Sequence, residues 1–118
     1  MSATTIDKIT TGEVDGELGA PMATDEAAEL AELFQALGDL TRLRILSALD
    51  TACVPVGAIV EATGLRQPTV SHHLRVLRDR GLVRSERRGA YIYYCASSEA
   101  LRPAIDAARV LLADRRPR

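Results

Sequence analysis

The stretch Gln67–Val83, QPTVSHHLRVLRDRGLV, limits the rest of the chain more than any other. At 3.6 residues per turn, Val70, Leu74 and Leu77 share one stripe, which must face a core. Ser71, His72, Arg75 and, at the margin, Arg78 lie off that stripe. A hydroxyl, an imidazole and guanidinium groups therefore point outward together. Gly81 stands where a left-handed cap would end the helix, and a β-rich run follows it. A short helix that is apolar inside and hydrogen-bonding outside fits a DNA major groove.

The chain has 118 residues, enough for one domain that buries a little over half of its unfolded surface. Aromatic residues are scarce: Phe34, Tyr91, Tyr93 and Tyr94, with no tryptophan. The core must then be aliphatic, which suits packed helices better than a β-sandwich. No apolar run approaches the roughly 20 residues that span a bilayer. The N-terminus has neither a basic nor an apolar export region, so a cytoplasmic location is expected. In such a compartment Cys53 and Cys95 are expected to be thiols rather than a disulfide.

A net charge of −1 hides a strong asymmetry. Residues 1–32 carry eight carboxylates against Lys8 alone. Between Arg66 and Arg88 there are seven arginines against Asp79 and Glu86. Taken alone, such a run reads as a solvated charged face. Its coincidence with a hydrogen-bonding helix makes it the footprint of a polyanion-binding surface.

Residues 1–23 show no sustained period and contain Gly12, Gly16, Gly19 and Pro21, so they read as a flexible acidic arm. Thr24 is placed to cap a helix whose stripe is Leu30, Leu33, Phe34 and Leu37, stopped at Gly38. Asp39 is placed to cap a second helix, Leu40–Leu49, with Leu43, Leu46 and Leu49 inward and Arg42 and Arg44 outside. After a break at residues 50–55, a short helix over Val56–Thr63 turns at Gly64 and Leu65 into the central helix. Pro68 is tolerated in its first turn, where the missing N–H would be unpaired anyway. Two short helices joined by such a turn match helix-turn-helix geometry.

Leu82–Arg87 and Ala90–Ala96 read as a hairpin with Arg88-Gly89 at its tip. Tyr91, Tyr93 and Cys95 should share one face and Ile92 and Tyr94 the other. A last helix runs from Glu99 to about Asp114, capped by Ser97 or Ser98; Pro103 would allow a start two residues later. Residues 115–118 read as a frayed tail. The predicted fold is mostly α with a small β-hairpin, a winged helix-turn-helix in the order α-α-α-α-β-β-α. Residues 24–114 form its DNA-binding and dimerisation domain. The first and last helices carry more apolar surface than so small a core can cover, at about 25 cal/mol per Å². A homodimer through Leu30, Leu33, Leu101, Ile105, Ala108 and Leu112 would cover it.

LFQALGDLTRLRILSAL followed by VEATGLRQPTVSHHLRVLRDRGLVRSERRGAYIYY closely resembles the ArsR/SmtB family of bacterial winged-helix repressors, over about Leu33–Tyr94. The resemblance implies a homodimer that binds operator DNA and releases it on a metal, metalloid or thiol-reactive signal. It implies DNA contacts at Gln67, Ser71 and His72, with Arg87 and Arg88 on the wing; Thr69, Arg75 and Arg78 complete the candidate set. Arg66 stands where the family has a capping serine. The family's cysteine pair falls on Pro55 and Gly57 here, and its Asp-x-His pair on Ser98 and Ala100. Neither usual metal site is intact.

Cys53 and Cys95 therefore remain as low-ranking candidates for thiol or metal sensing, with two ordinary thiols the plainer reading. His72 and His73 diverge by about 100° on a helix and chelate poorly together. His72 is assigned to DNA and His73 to a packed, hydrogen-bonded position. No cofactor is required; a regulatory metal of unknown identity is the only candidate. A second functional reading is an interaction module that lost its own sensor and is regulated through a partner protein. No activated nucleophile, paired carboxylates or phosphate-cradling glycine loop points to an enzyme.

Overall fold

The computed structural model describes residues 12–115 and 117. Its elements are α1 (Thr24–Leu37), α2 (Leu40–Leu49), β1 (Cys53–Pro55), α3 (Val56–Thr63), α4 (Gln67–Asp79), β2 (Val83–Arg88), β3 (Tyr91–Ala96) and α5 (Leu101–Arg115). The core gathers Ile45, Leu46 and Leu49 of α2, Ile59 of α3, Val70, Leu74 and Leu77 of α4, Val83 of β2, and Leu101. Each such aliphatic side chain contributes about 1.5–3 kcal/mol when fully buried. The stripe read in α4 is thus the stripe that packs.

The expected hairpin is present, as β2 and β3, and a third strand joins it. The sheet is antiparallel in the order β1-β3-β2, so the short β1 adds a third strand. Cys53 lies in that strand, not in a loop, and pairs directly with Cys95. A three-residue strand ending in proline carries no periodic signal. It forms because β3 offers a free edge, and a third strand steadies an otherwise marginal ribbon. The tip is Gly89-Ala90, one residue later than predicted, with Gly89 at φ 63° and Arg88 pairing with Tyr91. A positive φ at the first of two loop positions is one that glycine adopts without steric cost.

Several helical details differ from expectation. Ala23, not Thr24, is the N-cap of α1, and no side chain caps it. No residue of the α1 stripe is fully buried: Leu30, Leu33 and Leu37 are half-buried, Phe34 is 60% exposed, and Ala36, off the stripe, is the buried residue. In α2 the inward set is Ile45, Leu46 and Leu49, while Leu43 faces out. Asp39 caps α2 as read, its Oδ2 accepting from the Arg42 N–H at 3.0 Å. That bond, with the charge on Arg42, holds the Asp39 carboxyl below its ordinary pKa. Helix α5 begins at Leu101, the later of the two starts considered, with the Ser98 Oγ accepting from Ala100 N–H. Leu101 was assigned to a dimer interface, but the subunit's own core takes it, at 8% exposure. The reason is position: the first residue of α5 lies against α2 before the helix leaves the body.

Residues 12–23 contain no helix or strand and are exposed. The rest of the acidic arm, residues 1–11, lies outside the described residues, as do 116 and 118 of the tail.

Candidate nucleic-acid interface

The turn between α3 and α4 is fixed at several points. Gly64 adopts φ 72° and donates its N–H to Val60 O at 2.8 Å. The buried Thr63 hydroxyl donates to Ile59 O at 2.7 Å and accepts from Leu65 N–H. Arg44, expected on the outside, reaches across from α2 to donate to Thr63 O at 2.8 Å. Arg42 likewise works inward: its Nε donates to Ala36 O at 2.7 Å and its Nη1 lies 3.4 Å from His73 Nδ1. The two arginines tie α1, α2, α3 and α4 together through backbone carbonyls and one imidazole. This pair was legible as charge but not as a clamp.

His73 is half-buried between Arg42 and Asp39, whose Oδ2 lies 3.9 Å away. Loss of solvent pushes its pKa below the ordinary 6.5, and Asp39 only partly offsets this. The ring is therefore neutral near pH 7 and acts as packing.

The opposite side of α4 is free. Gln67, Thr69, Ser71, His72, Arg75 and Arg78 are all exposed, whereas Val70, Leu74 and Leu77 are buried at 1% or less. At about 100° per residue, His72 and Arg75 stand on the outer crest. Gln67 and Ser71 lean toward the wing, where with Pro55, Tyr91, Ile92 and Tyr94 they line a groove of about 460 Å³. Arg66 is the N-cap and supplies no capping side chain, while Pro68 sits in the first turn. At the far end, Gly81 N–H donates to Arg78 O at 3.0 Å and Leu82 N–H to Leu77 O at 2.9 Å. That is a Schellman cap around Gly81 at φ 77°. It ends α4 sharply and starts β2 one residue later.

The two wing arginines part company. Alternation along β2 sends Arg87 and Arg88 to opposite faces. Arg88 lies 3.1 Å from Glu86 Oε1 and 4.5 Å over the ring of Tyr93. Arg87 only donates to Gly89 O, at 3.3 Å, near the tip. Arg88 is thus partly neutralised in place, and Arg87 has no carboxylate partner among the described residues.

Glu86, which sequence reasoning passed over, is a hub. Arg84 and Arg88 both reach its Oε1 at 3.1 Å, and these bonds hold its carboxyl below the ordinary carboxylate range. Its i, i+2 spacing from both arginines was the available signal, because such residues share a strand face. Cys95 Sγ lies 3.4 Å from the same oxygen. Cys95 is joined to Cys53 in a disulfide, with the two Cα atoms 4.3 Å apart. The expectation of two separate thiols is therefore corrected: strand pairing places the two side chains directly opposite each other.

The positions that the resemblance marks for metal do not fit an ion. Pro55, Gly57 and Ala100 have no donor side chain, and Ser98 Oγ is engaged in the cap of α5. Among the described residues, Cys53, Glu86 and Cys95 do present ligand atoms within 4.8 Å of one another.

A helix-turn-helix braced by a three-stranded sheet, with the second helix's polar face open beside the wing, defines a winged helix-turn-helix protein. The description "Bacterial regulatory protein, arsR family" matches residues 39–85. The HTH-type transcriptional regulator NmtR of Mycobacterium tuberculosis is 45% identical over 75 residues, 64% of this chain and 62% of that protein. A transcriptional repressor SmtB homolog of Synechocystis is 41% identical over 73 residues, 62% of this chain and 55% of that protein. The chain thus spans about three fifths of the length of these curated relatives. The homodimeric winged helix-turn-helix DNA-binding domain of Mb0332 from Mycobacterium bovis superposes with a TM-score of 0.68 at 30% identity, over 81% of this chain and 92% of that one. The chain belongs to the arsR family of bacterial regulatory proteins. No described helix is long and apolar enough to cross a membrane.

Proposed function

We propose that this protein is a dimeric, cytoplasmic, sequence-specific DNA-binding regulator of the repressor type, with residues 24–114 as its DNA-binding and dimerisation domain. The observation that carries the reading is α4. It buries one stripe completely and leaves Gln67, Ser71, His72 and Arg75 free on a rod flanked by arginines. Gln67, Ser71 and His72 are suited to base edges, with Arg66, Arg75, Arg78 and Arg87 on phosphates. Dimerisation is supported by the exposed apolar residues of the terminal helices: Phe34 on α1 and Val110, Leu111 and Leu112 on α5. Two copies would present paired helices about one DNA turn apart.

The test is duplex selection followed by fluorescence anisotropy on the selected and on a random duplex. The selected duplex should bind roughly 10³-fold or more tightly, with affinity falling by a log–log salt slope near 0.9 per phosphate contacted. Equal affinity for both duplexes would overturn the reading. A second reading, regulation through a partner protein, draws on the missing donors at Pro55, Gly57 and Ala100. A regulatory metal or thiol-reactive signal acting on the chain itself is the first alternative to it.

A further inference from the structure

We propose that Cys53 and Cys95, when reduced, join Glu86 in binding a soft divalent cation on the outer face of the sheet. As regulation of the DNA-binding unit this rests on the preceding reading; as a binding site it does not. The argument begins with register. Cys53 pairs with Cys95 across β1–β3, and Glu86 pairs with Tyr93, two residues before Cys95, across β2–β3. All three strands thereby put a donor on one face, with Glu86 offset by two residues from the Cys53–Cys95 pair and reaching back to it through its side chain. The three ligand atoms lie within 4.8 Å of one another, and Glu86 Oε1 is 3.4 Å from Cys95 Sγ. Two thiolates on one tetrahedral ion, with metal–sulfur bonds near 2.3 Å, stand about 3.8 Å apart, and a thiolate and a carboxylate oxygen about 3.6 Å. The strand spacing therefore suits an ion once the sulfur–sulfur bond is broken.

The chemistry of the set selects the ion. Two thiolates favour zinc, cadmium and similar cations over magnesium or calcium. Two thiolates, one carboxylate and a divalent cation leave one negative charge, which Arg84 and Arg88 are placed to offset. A cavity of about 540 Å³, bordered by Cys53, Cys95, Ser98 and Glu99, adjoins the sulfurs and gives a reductant and an ion a way in. It also leaves the fourth coordination position open to water.

The two states exclude each other, and each step balances. A dithiol reductant delivers two electrons and two protons to the Cys53–Cys95 bond, leaving two thiols and its own disulfide. The cation then displaces both thiol protons to solvent and takes the Glu86 oxygen that the arginines share. A small-molecule disulfide takes two electrons from the paired thiolates, leaves as two thiolates, re-forms the Cys53–Cys95 bond and so removes both sulfur ligands at once, releasing the cation.

The test uses the full chain, reduced with dithiothreitol, exchanged into reductant-free buffer under anaerobic conditions, and titrated with cadmium alone. The readout is the near-ultraviolet cadmium–thiolate absorption, with a competing chelator to set affinity. One cadmium per chain is expected in the reduced protein and none in the oxidised protein. Cys53→Ser and Cys95→Ser should each weaken binding at least about 100-fold, and Glu86→Gln about 10-fold or more. Glu86→Gln keeps both sulfurs and guards against a folding defect in the serine variants, whose helical signal is checked by circular dichroism. No uptake by the reduced protein, equal uptake by the doubly serine-substituted chain, or an unaltered affinity in Glu86→Gln would overturn the site. The same samples are assayed on DNA without metal. Duplex discrimination by a reduced, unsubstituted chain that takes up no cadmium sinks this proposal alone, and cadmium binding without duplex discrimination sinks only the regulator reading.

Discussion

Helices α4 and α5 are of similar length but live in different surroundings. In thirteen residues α4 sends three side chains to 1% exposure or less. In fifteen residues α5 fully buries only Leu101, and leaves Val110 59%, Leu111 72% and Leu112 41% exposed. The first helix is finished by its own subunit, so its outer face is free for a polar partner. The second is tied down at its start by Leu101 and by the Arg102 ion pair to Asp50, and then carries apolar surface outward. In water such a stripe stays uncovered only at a cost, which is the physical case for a second copy. Burial alone thus separates a helix with a free polar face from one that carries apolar surface outward, the two faces that the proposed function gives to DNA and to a second copy.

That contrast breaks or sharpens under substitution. Leu74→Ala should cost about 2–5 kcal/mol of stability, because the cavity opens in the closed half of the molecule; urea melting reads it. A cost below about 1 kcal/mol would mean that the α4 stripe is not the core. Leu111→Asp combined with Leu112→Asp should leave the far-ultraviolet spectrum unchanged yet give a single subunit by sedimentation equilibrium. If the doubly substituted chain stays dimeric, the distal half of α5 is not the interface. On the polar side of α4, His72→Ala should lose about 1–3 kcal/mol of preference for the selected duplex with little change in melting temperature.

Smaller effects test the wing and the clamp. Arg87→Ala should lower the salt slope of DNA binding by about 0.9, and Arg88→Ala by less, because Glu86 and Tyr93 already hold that guanidinium. Equal changes would show that Arg88 lets go of Glu86 on DNA. His73 gives the mildest effect. Its pKa is lowered in the folded chain, so the unfolded chain binds more protons just below pH 6.5. The stability tied to neutral His73 is therefore complete above pH 6.5 and declines as pH falls through the lowered value. His73→Gln should flatten the stability profile in that window, as read by thermal melts at stepped pH.

Much of the scaffold was legible in the residues themselves. The Val70-Leu74-Leu77 period, the Asp39 cap, the Gly64 turn and the Gly81 stop each act within a turn or two of chain. Local sterics and hydrogen bonding decide such features, and residue type reports them directly. Leu43 and Phe34 misled because a helix of leucines offers more than one apolar stripe, and only the neighbour decides which is covered. Arg42 misled because its target, Ala36 O, belongs to another helix; Arg44 is exposed as expected and from there also reaches Thr63 O on α3.

A helix with one apolar and one hydrogen-bonding face, its stops, and the basic run around it were readable from residue order, because those follow from spacing along a single element. Folding in three dimensions was needed to bring Cys53 to Cys95 across 42 residues, to gather two arginines on Glu86 beside them, and to turn Leu101 inward. Strand register and helix docking set those outcomes. Both depend on which distant surfaces close together, a quantity no local pattern carries.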